Sequence, residues 1–504
     1  MLQASESRLI PLVAGGAALL FLYARLRKRA PLPPGPTPLP IVGNILNMPA
    51  PDQLHPWKYY DTWFQKYGNI VYVKIFQQDI VLLGSYDVAQ DLFDKNGAQF
   101  SDRPANVMIP LTGWDFNFAA KNYTPFYRRH RKTFHEFFNP TVIPNYRDIQ
   151  YREVEAFIRR LEESPDRFLH HIRHTLAAVI MDVAYGIRIR DTDDPYISVA
   201  EEAVSYLNRA GIAGSFIVDF FPWLQHFPSW APGTSFQATA KYAKTVVSTM
   251  VEKPWKYVAN MAEVTGDSTT SVAGTLYSRL AEVPDAEREE QELIAKNVSG
   301  VAYAAGADTT SSAVQSFFLA MLMFPEVQQK AREELDRVVG RDRLPNLDDR
   351  KYLPYVGQAL IKEIMRWQPV SPLGVPHCNP TDFMYNGYLI PAGTMLLGSA
   401  WAILHDPEMY PDPDRFYPER FLKDGVLNPD IREPDAAFGF GRRICPGRYM
   451  SDNNVFLIAA SVLSRFEILP SLDDQKKPIK YEAKSTNGLF TYPLPFNCQI
   501  RPRA

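Results

Sequence analysis

A mainly α-helical domain with a minor β component is the fold class that the sequence predicts. Apolar residues recur at the helical period of 3.6, in long segments joined by short loops, from about residue 124 to residue 340. Short runs of alternating character at 69–76 and 79–84 are typical of strands, and a further strand-like stretch at 382–397 contains an Asn-Gly hairpin signal. The polar stretch at about 262–290 is expected to be a surface connection.

Composition limits the functions that the chain can carry. The 504 residues include 54 Lys plus Arg and 56 Asp plus Glu, which gives a formal net charge of −2. Nucleic-acid binding is not expected, because phosphate contacts need a basic face that this balance does not supply. Three cysteines exclude a disulfide scaffold and fit a reducing compartment. At this length the core is large enough to enclose a cofactor.

Residues 1–30 are predicted to form a membrane anchor followed by a basic stop. Residues 9–24 are uncharged and mostly apolar, and at about 1.5 Å per residue they reach roughly 24 Å. A cleaved signal peptide is the alternative, but its positive charge would precede the apolar run, whereas four basic residues at 25–29 follow it. By the positive-inside rule, a single anchor leaves the following domain in the cytosol.

Two further segments bear on a membrane. The proline-rich residues 31–50 are predicted to be a stiff spacer that holds the domain, residues 51–504, at a set distance from the bilayer. The aromatic run at 211–228 has two interpretations, which are packing in the core and a loop that dips into the bilayer or lines an apolar entrance. Sequons at Asn122 and Asn297 are expected to be unused, which agrees with a cytosolic domain.

The segment 438–450, FGFGRRICPGRYM, contains the most informative cysteine of the chain. Cys445 precedes a predicted helix, with Pro446 suited to the first helical position, and backbone amides at such a terminus stabilise a thiolate. Glycines around it let the backbone close on the sulfur. Zinc is not expected, because no second Cys or His stands at ligand spacing. On these residues alone, a buried structural thiol remains the alternative.

The pattern Phe438-x-x-Gly441-x-Arg443-x-Cys445-x-Gly447 resembles the haem-binding signature of the cytochrome P450 superfamily. The resemblance implies the cytochrome P450 fold, with Cys445 as the axial thiolate ligand of the iron of haem b and with Phe438 and Gly447 beside the haem. Such a ligand favours cleavage of the O–O bond.

Two other motifs of the family occur in the expected order. Glu363-x-x-Arg366 alone would be a surface pair worth about 0.2–0.5 kcal/mol. By the resemblance, Arg420 in the segment 416–421 joins them in a buried Glu–Arg–Arg network that braces the haem-binding core. The resemblance covers about residues 31–500.

A helix at 293–324 is almost entirely apolar or small, so we expect it to be buried on all sides. Its Asp308 and Thr309 could be a hydrogen-bonded polar cluster that only kinks the helix. The segment 305–310 resembles the oxygen-activation motif of the family. The resemblance makes both residues catalytic, with Thr309 orienting a water and Asp308 relaying protons, while Gly306 leaves room for oxygen.

Haem propionates call for Arg or His donors. By the resemblance, Arg443, Arg131 and His377 occupy positions with that role, and Arg103 is a weaker match. One departure is Tyr127, which stands where the family usually has Trp; its phenol still supplies one hydrogen-bond donor, so haem binding is expected to survive with changed packing.

Taken together, the resemblance implies a membrane-anchored haem-thiolate monooxygenase, most similar to fungal microsomal enzymes of secondary metabolism. It would oxidise a lipophilic terpenoid, polyketide, steroid or polycyclic aromatic, or a xenobiotic, with O2. Electrons would come from NADPH through a separate NADPH–cytochrome P450 reductase, with cytochrome b5 as a second partner, because the chain shows no flavin or dinucleotide segment. The location implied is the endoplasmic reticulum membrane, single-pass, with a cytosolic catalytic domain.

Five apolar regions are the candidate substrate contacts, at 106–118, 211–227, 301–309, 370–375 and 487–490. Two other functions remain open. One is a haem-thiolate isomerase or dehydratase, which would need no external electrons and against which the Asp308-Thr309 pair speaks. The other is a non-catalytic haem-binding membrane protein, for which haem would bind without substrate-linked oxygen consumption.

Overall fold

The computed structural model describes residues 30–50, 53–212, 214–265 and 270–503. Most of this part of the chain is helical, which confirms the predicted fold class. The helices in chain order are α1 (Pro56–Tyr67), α2 (Tyr86–Gln90), α3 (Met108–Leu111), α4 (Pro125–Phe138), α5 (Arg147–Glu163), α6 (Phe168–Tyr185), α7 (Pro195–Ala210), α8 (Ile217–Phe220), α9 (Phe236–Thr265), α10 (Val272–Arg279), α11 (Asp285–Met323), α12 (Pro325–Val338), α13 (Ile361–Trp367), α14 (Ala400–Leu404) and α15 (Arg448–Arg465).

The β component is small. The strands are β1 (Ile70–Ile75), β2 (Gln78–Leu83), β3 (His377–Cys378), β4 (Phe383–Tyr385), β5 (Tyr388–Ile390), β6 (Met395–Gly398), β7 (Leu422–Lys423), β8 (Val426–Leu427), β9 (Phe466–Pro470) and β10 (Cys498–Pro502). Four of them form one sheet in the order β1-β2-β6-β3, in which only β2 and β6 run parallel. The other strands pair as the hairpins β4–β5 and β7–β8 and as β9–β10.

Helix α11 is the centre of the domain. Its 39 residues span about 58 Å, and its apolar and small residues from 294 onward are mostly buried, as predicted. It packs against α4, α6, α7 and α15, so the core surrounds it. The helix ends at Met323 with Phe324 as its C-cap, because Pro325 disfavours a helical conformation in the residue before it.

Two local predictions can be compared directly. The hairpin β4–β5 turns at Asn386 and Gly387, which have φ of 49° and 84°, as an Asn-Gly type I′ turn requires. The prediction of a plain surface connection at 262–290 was wrong. Helix α10 lies within it and buries Val272, Ala273 and Leu276, because three apolar residues on one helical face suffice to dock a short helix in an otherwise polar stretch.

The predicted anchor at 9–24 lies outside the described residues. Within the residues that the structure covers, no helix is both long and apolar enough to cross a bilayer. The proline-rich segment that follows lies against the β4–β5 hairpin and strand β1: the Pro31 and Pro34 carbonyls accept hydrogen bonds from the amides of Leu389 and Tyr72, at 2.8 and 2.9 Å.

The aromatic run at 211–228 is partly packed in the core, as the first of its two interpretations expects. Phe216, Val218 and Leu224 are buried in a small core beside α3. Trp223 and Phe227 are exposed, at 55% and 47% of their surface. The run is therefore anchored in the fold by one set of apolar side chains and presents another set outward.

The sequon at Asn297 is closed to modification in the folded chain. Asn297 is buried on α11 and its side-chain amide donates to Nε2 of His130 at 3.1 Å. A glycan would have to displace this contact from the core. Asn122 is exposed, and its side-chain oxygen accepts from the Arg103 amide at 3.1 Å.

Candidate active site

A cavity of about 310 Å³ lies inside the domain, a volume ordinary for a small-molecule site. One wall is the middle of α11, where Ala305, Gly306 and Thr309 are partly accessible although most of the helix around them is buried. Another wall is the loop before α15, which contributes Cys445 and Gly447. The cavity therefore joins the two segments from which the sequence analysis inferred chemistry.

Cys445 is held by its backbone and faces the cavity. Its amide donates to the Phe438 carbonyl at 2.8 Å, which closes the loop on itself. Burial raises the pKa of the Cys445 thiol, whereas the amides of Gly447 and Arg448 and the guanidinium of Arg131 act in the opposite direction. These donors favour the thiolate, and binding of a metal ion to the sulfur would complete its deprotonation.

Glycines allow the loop its turns. Gly439 and Gly441 have φ of 82° and 52°, and a Cβ on Gly441 would lie 2.4 Å from the Phe93 carbonyl oxygen. The helix begins at Arg448, so the prediction of Pro446 at the first helical position was wrong. Gly447 is the N-cap, and the cap residue must keep a non-helical conformation to end the turn that carries the cysteine.

Three arginines line the cavity, as the sequence analysis expected for Arg103, Arg131 and Arg443. Among the described residues, none of the three forms an ion pair with a carboxylate. Their N–H groups donate at 2.6–3.0 Å to the backbone carbonyls of Ser101, Ala119, Lys121, Val375, Pro376 and Ile444.

The buried positive charge of these arginines favours the binding of an anion in the cavity. Burial lowers the pKa of Arg103 to about 9 and also lowers the pKa values of Arg131 and Arg443, because the charged form is poorly solvated there. Nη1 of Arg443 is buried and has no hydrogen-bond partner. A ligand that brings carboxylates into the cavity would neutralise the charges and satisfy this donor. The donor set therefore fits a haem with two propionates.

His377 reaches the same cavity from β3. Its Nδ1 is hydrogen-bonded to the Phe100 carbonyl at 2.6 Å, and its ring stacks on Phe93 with centroids 4.0 Å apart. Burial lowers the pKa of His377 well below the usual range, with a further lowering from the Arg103 charge. The histidine is therefore neutral in the absence of an anion.

Tyr127 uses its hydroxyl and its ring in different ways. The hydroxyl donates to the Arg442 carbonyl at 3.1 Å. The ring lies under the Arg443 guanidinium, whose carbon is 3.8 Å from the ring centroid. The side-chain donor of Tyr127 is thus engaged with the cysteine loop, and its ring stabilises the position of an arginine that lines the cavity.

Asp308 and Thr309 lie on different sides of α11. Thr309 lines the cavity, and its hydroxyl donates to the Ala305 carbonyl at 2.9 Å. Asp308 does not line the cavity, and its carboxylate accepts a hydrogen bond from the hydroxyl of Tyr492. Burial raises the pKa of Asp308. The structure places Thr309 and Cys445 in the same cavity, whereas Asp308 lies outside the cavity.

Close packing between α11 and α6 requires a glycine at position 306, which could not be predicted from the sequence. A Cβ at this position would lie 2.7 Å from Cγ1 of Ile180 on α6. The direction of the missing side chain is therefore toward α6, and the glycine lets the two helices approach closely. The expectation that Gly306 leaves room for oxygen does not account for this contact.

Four of the five candidate substrate regions reach the cavity. They contribute mainly apolar side chains, including those of Phe118, Val301, Ala302, Val370, Val375 and Phe490. The region 211–227 does not line the cavity, because its buried side chains are committed to the separate small core beside α3.

The predicted Glu–Arg–Arg network is present and buried. Arg366 donates to both oxygens of Glu363, at 2.7 and 2.9 Å. Nε of Arg420 lies 3.2 Å from the same carboxylate, and the amide of Tyr417 donates to it at 2.7 Å. The side chains of the three charged residues are 0–3% exposed, so the network ties α13 to the segment that carries Arg420.

Some site residues were not singled out from the sequence. Phe93 supports His377, Ser451 accepts a hydrogen bond from Thr310 at 3.0 Å, and Tyr492 holds Asp308. Each of these contacts joins segments far apart in the chain, and none of the three residues belongs to a local motif. Only the aromatic character of the C-terminal stretch 490–496 was a visible signal.

Comparisons with known proteins identify the family of this chain. The sequence model of the family described as Cytochrome P450 matches residues 33–498. Cytochrome P450 monooxygenase COX2 of Coprinopsis cinerea is 41% identical over 98% of this chain and 93% of its own length. Cytochrome P450 monooxygenase COX1 of the same fungus is 39% identical over 94% and 92%. Tryptamine 4-monooxygenase of Psilocybe cyanescens is 38% identical over 98% and 97%. The chain belongs to the cytochrome P450 family and is a monooxygenase.

Proposed function

We propose that this monooxygenase oxidises a neutral, lipophilic small molecule with O2 and with electrons from NADPH, delivered by a separate NADPH–cytochrome P450 reductase. The observation that carries the proposal is one cavity that joins the Cys445 thiol, three unpaired arginines and an apolar wall with the Thr309 hydroxyl. A role in fungal secondary metabolism is part of the proposal, supported by the fungal relatives.

The haem would be held by residues that fit it chemically. Cys445 supplies the sulfur ligand, Phe438 and Gly447 lie beside it, and the arginines with His377 supply donors for the propionates. When bound, the haem supplies the redox-active iron at which dioxygen is reduced and cleaved. The protein supplies the other requirements, which are an apolar site, a fixed substrate and a source of protons.

Proton supply is assigned to Asp308 and Thr309. The Thr309 hydroxyl is oriented by the Ala305 carbonyl, so its oxygen can accept a hydrogen bond from a water in the cavity. Asp308 is partly buried, and burial raises the pKa of its carboxyl group, which favours the protonated form that can donate a proton. With Asp308 outside the cavity and Thr309 lining it, protons can be supplied without opening the cavity to bulk water.

The cavity chemistry indicates a neutral substrate. In the part of the chain that the structure describes, no Asp or Glu side chain lines the cavity. An alkylammonium group, such as that of the tryptamine named for one relative, would therefore find no counter-charge there. Terpenoids, polyketides, steroids and polycyclic aromatics satisfy the apolar wall without this cost.

Membrane association is proposed from an apolar surface formed by Ile41, Leu46, Trp223, Phe227 and Trp230. These side chains are 47–90% exposed. The two parts of the surface are linked, because the amide of residue 76 donates to the carbonyl of residue 42, and the Phe76 ring contacts the rings of residues 220 and 221. An exposed set of large apolar residues, two of which follow the predicted anchor closely in the sequence, fits a bilayer surface. The proposed location is the endoplasmic reticulum membrane, with the catalytic domain in the cytosol.

The reductase is proposed to dock on a basic surface of this chain near Cys445. Arg128 and Arg442 are exposed and both lie over the ring of Tyr123, at 5.8 and 5.2 Å from its centroid. An acidic partner surface would be attracted there. Cytochrome b5 is a second candidate partner for the same surface.

The test uses the full chain reconstituted with a fungal reductase and supplied with NADPH. Addition of a sesquiterpene, polyketide, steroid or polycyclic aromatic is expected to raise NADPH and oxygen consumption together with product, whereas tryptamine is not. Thr309→Ala is expected to divert electrons to hydrogen peroxide, and Thr309→Ser is expected to restore coupling. Product formed without NADPH would favour an isomerase or dehydratase instead.

A further inference from the structure

Tyr492 contacts the acid that faces away from the cavity. Its hydroxyl donates to Oδ2 of Asp308, so the carboxyl group is held on the outer side of α11 while Thr309 lines the cavity. Tyr492 belongs to no motif of the chain. A hydrogen bond between two partly buried groups restricts the orientation of both.

The segment that carries Tyr492 is fixed at several points. The Ser312 hydroxyl, one helical turn after Asp308, donates to the Thr491 carbonyl. The Thr491 amide donates to the Val370 carbonyl at 2.8 Å. Phe490, the next residue toward the N-terminus, lines the cavity. Tyr492 is thus presented to Asp308 by a segment that also touches the substrate wall.

The charged groups that act on Asp308 lie on the neighbouring helices α6 and α7. Burial raises its pKa, the Tyr492 hydroxyl and the Arg173 charge on α6 lower it, and the Glu201 charge on α7 raises it. Arg173 and Glu201 lie 4.0 Å apart, and their side chains are 43% and 45% exposed. The charged groups that act on Asp308 therefore lie at the protein surface.

We propose that Tyr492 is a positioning residue for proton delivery, because its hydroxyl holds the Asp308 carboxyl in the orientation that exchanges protons with solvent beside Arg173 and Glu201. The proposal rests on the proposed function, which assigns proton supply to Asp308. One proton moves and no electron does. The carboxyl O–H bond breaks as its proton passes to the oxygen of a water held by the Thr309 hydroxyl, and the carboxylate then regains a proton from bulk water.

The test compares full-length holoenzyme carrying Tyr492→Phe with wild type by pH-dependent infrared difference spectroscopy. The carboxyl C=O band of Asp308 is assigned by its loss in Asp308→Asn. In Tyr492→Phe the band is expected to move, and to persist to higher pH, because a donor that stabilises the carboxylate has been removed. Tyr410→Phe is the matched control, since Tyr410 is buried and donates to the Arg432 carbonyl at 3.0 Å.

Coupling of NADPH to product is the second readout. Tyr492→Phe is expected to lower product per NADPH on the order of tenfold, with hydrogen peroxide making up the difference, and Tyr410→Phe is expected to leave it unchanged. If Asp308→Asn lowers product but Tyr492→Phe changes neither the band nor the coupling, the role of Tyr492 is overturned alone. If Asp308→Asn is fully coupled, the proton role of Asp308 fails and this proposal fails with it.

Discussion

Replacement of Glu363 by Gln tests the buried network quantitatively. The carboxylate accepts hydrogen bonds from Arg366, Arg420 and the amide of Tyr417, and the side chains of all three charged residues are almost fully buried. The substitution keeps the shape but removes the negative charge, so two buried guanidinium groups lose their counter-charge. Breaking a buried pair by removing one partner costs about 3–5 kcal/mol.

The expected shift in melting temperature follows from the length of the chain. With about 2.1 cal/mol/K of unfolding entropy per residue, a chain of 504 residues has an unfolding entropy of roughly 1.1 kcal/mol/K. A loss of about 3–5 kcal/mol therefore lowers the melting temperature of Glu363→Gln by about 3–5 °C. Thermal unfolding of the full chain, followed by circular dichroism, measures it.

Asp430→Asn is the matched control for the change of carboxylate to amide. Asp430 pairs with Lys423 at 2.8 Å, but the two side chains are 70% and 58% exposed. Such a pair contributes at most about 1 kcal/mol, so the control is expected to melt within about 1 °C of wild type. If Glu363→Gln melts as close to wild type as the control does, the network does not brace the core.

Three further predictions concern packing, the cysteine loop and the membrane. Gly306→Ala is expected to destabilise the domain by about 1–3 kcal/mol in chemical unfolding, because its Cβ meets Ile180; equal stability of variant and wild type would contradict the contact. Tyr127→Phe is expected to cost about 1 kcal/mol while haem content is retained, and loss of haem would show a direct role of the hydroxyl. Reconstitution into bilayers is expected to shift tryptophan emission to the blue, and Trp223→Ser with Trp230→Ser to reduce this shift; an unchanged shift would refute the bilayer contact.

The extent to which the sequence predicted this fold and site follows the range of the interactions. The hairpin at Asn386 and the loop around Cys445 depend on residues close in the chain, so both turns could be predicted from the sequence. The start of α15 was misplaced, because the first helical residue is Arg448, after the Gly447 cap, rather than Pro446. Helix boundaries depend on single backbone angles that composition does not determine.

Long-range contacts account for what could not be predicted. Three features depend on which distant segments meet. They are the lack of a carboxylate partner for the cavity arginines among the described residues, the need for glycine at 306 and the partner of Asp308. Tyr492 lies 184 positions from Asp308 in the chain, and nothing local to either residue indicates the other. The residue types indicated the chemistry of the candidate site, whereas the fold determines which of these residues lie together in the cavity.

The most direct test of the central claim is the carbon monoxide difference spectrum of the reduced full chain, for wild type and Cys445→Ala. Thiolate ligation by Cys445 predicts a strongly red-shifted Soret band in wild type that is absent in the variant. Cys378→Ala is the control, because Cys378 does not line the cavity and its thiol is engaged with the Asn379 carbonyl. A band typical of histidine-ligated haem, or a red-shifted band that survives in Cys445→Ala, would contradict the assignment of Cys445.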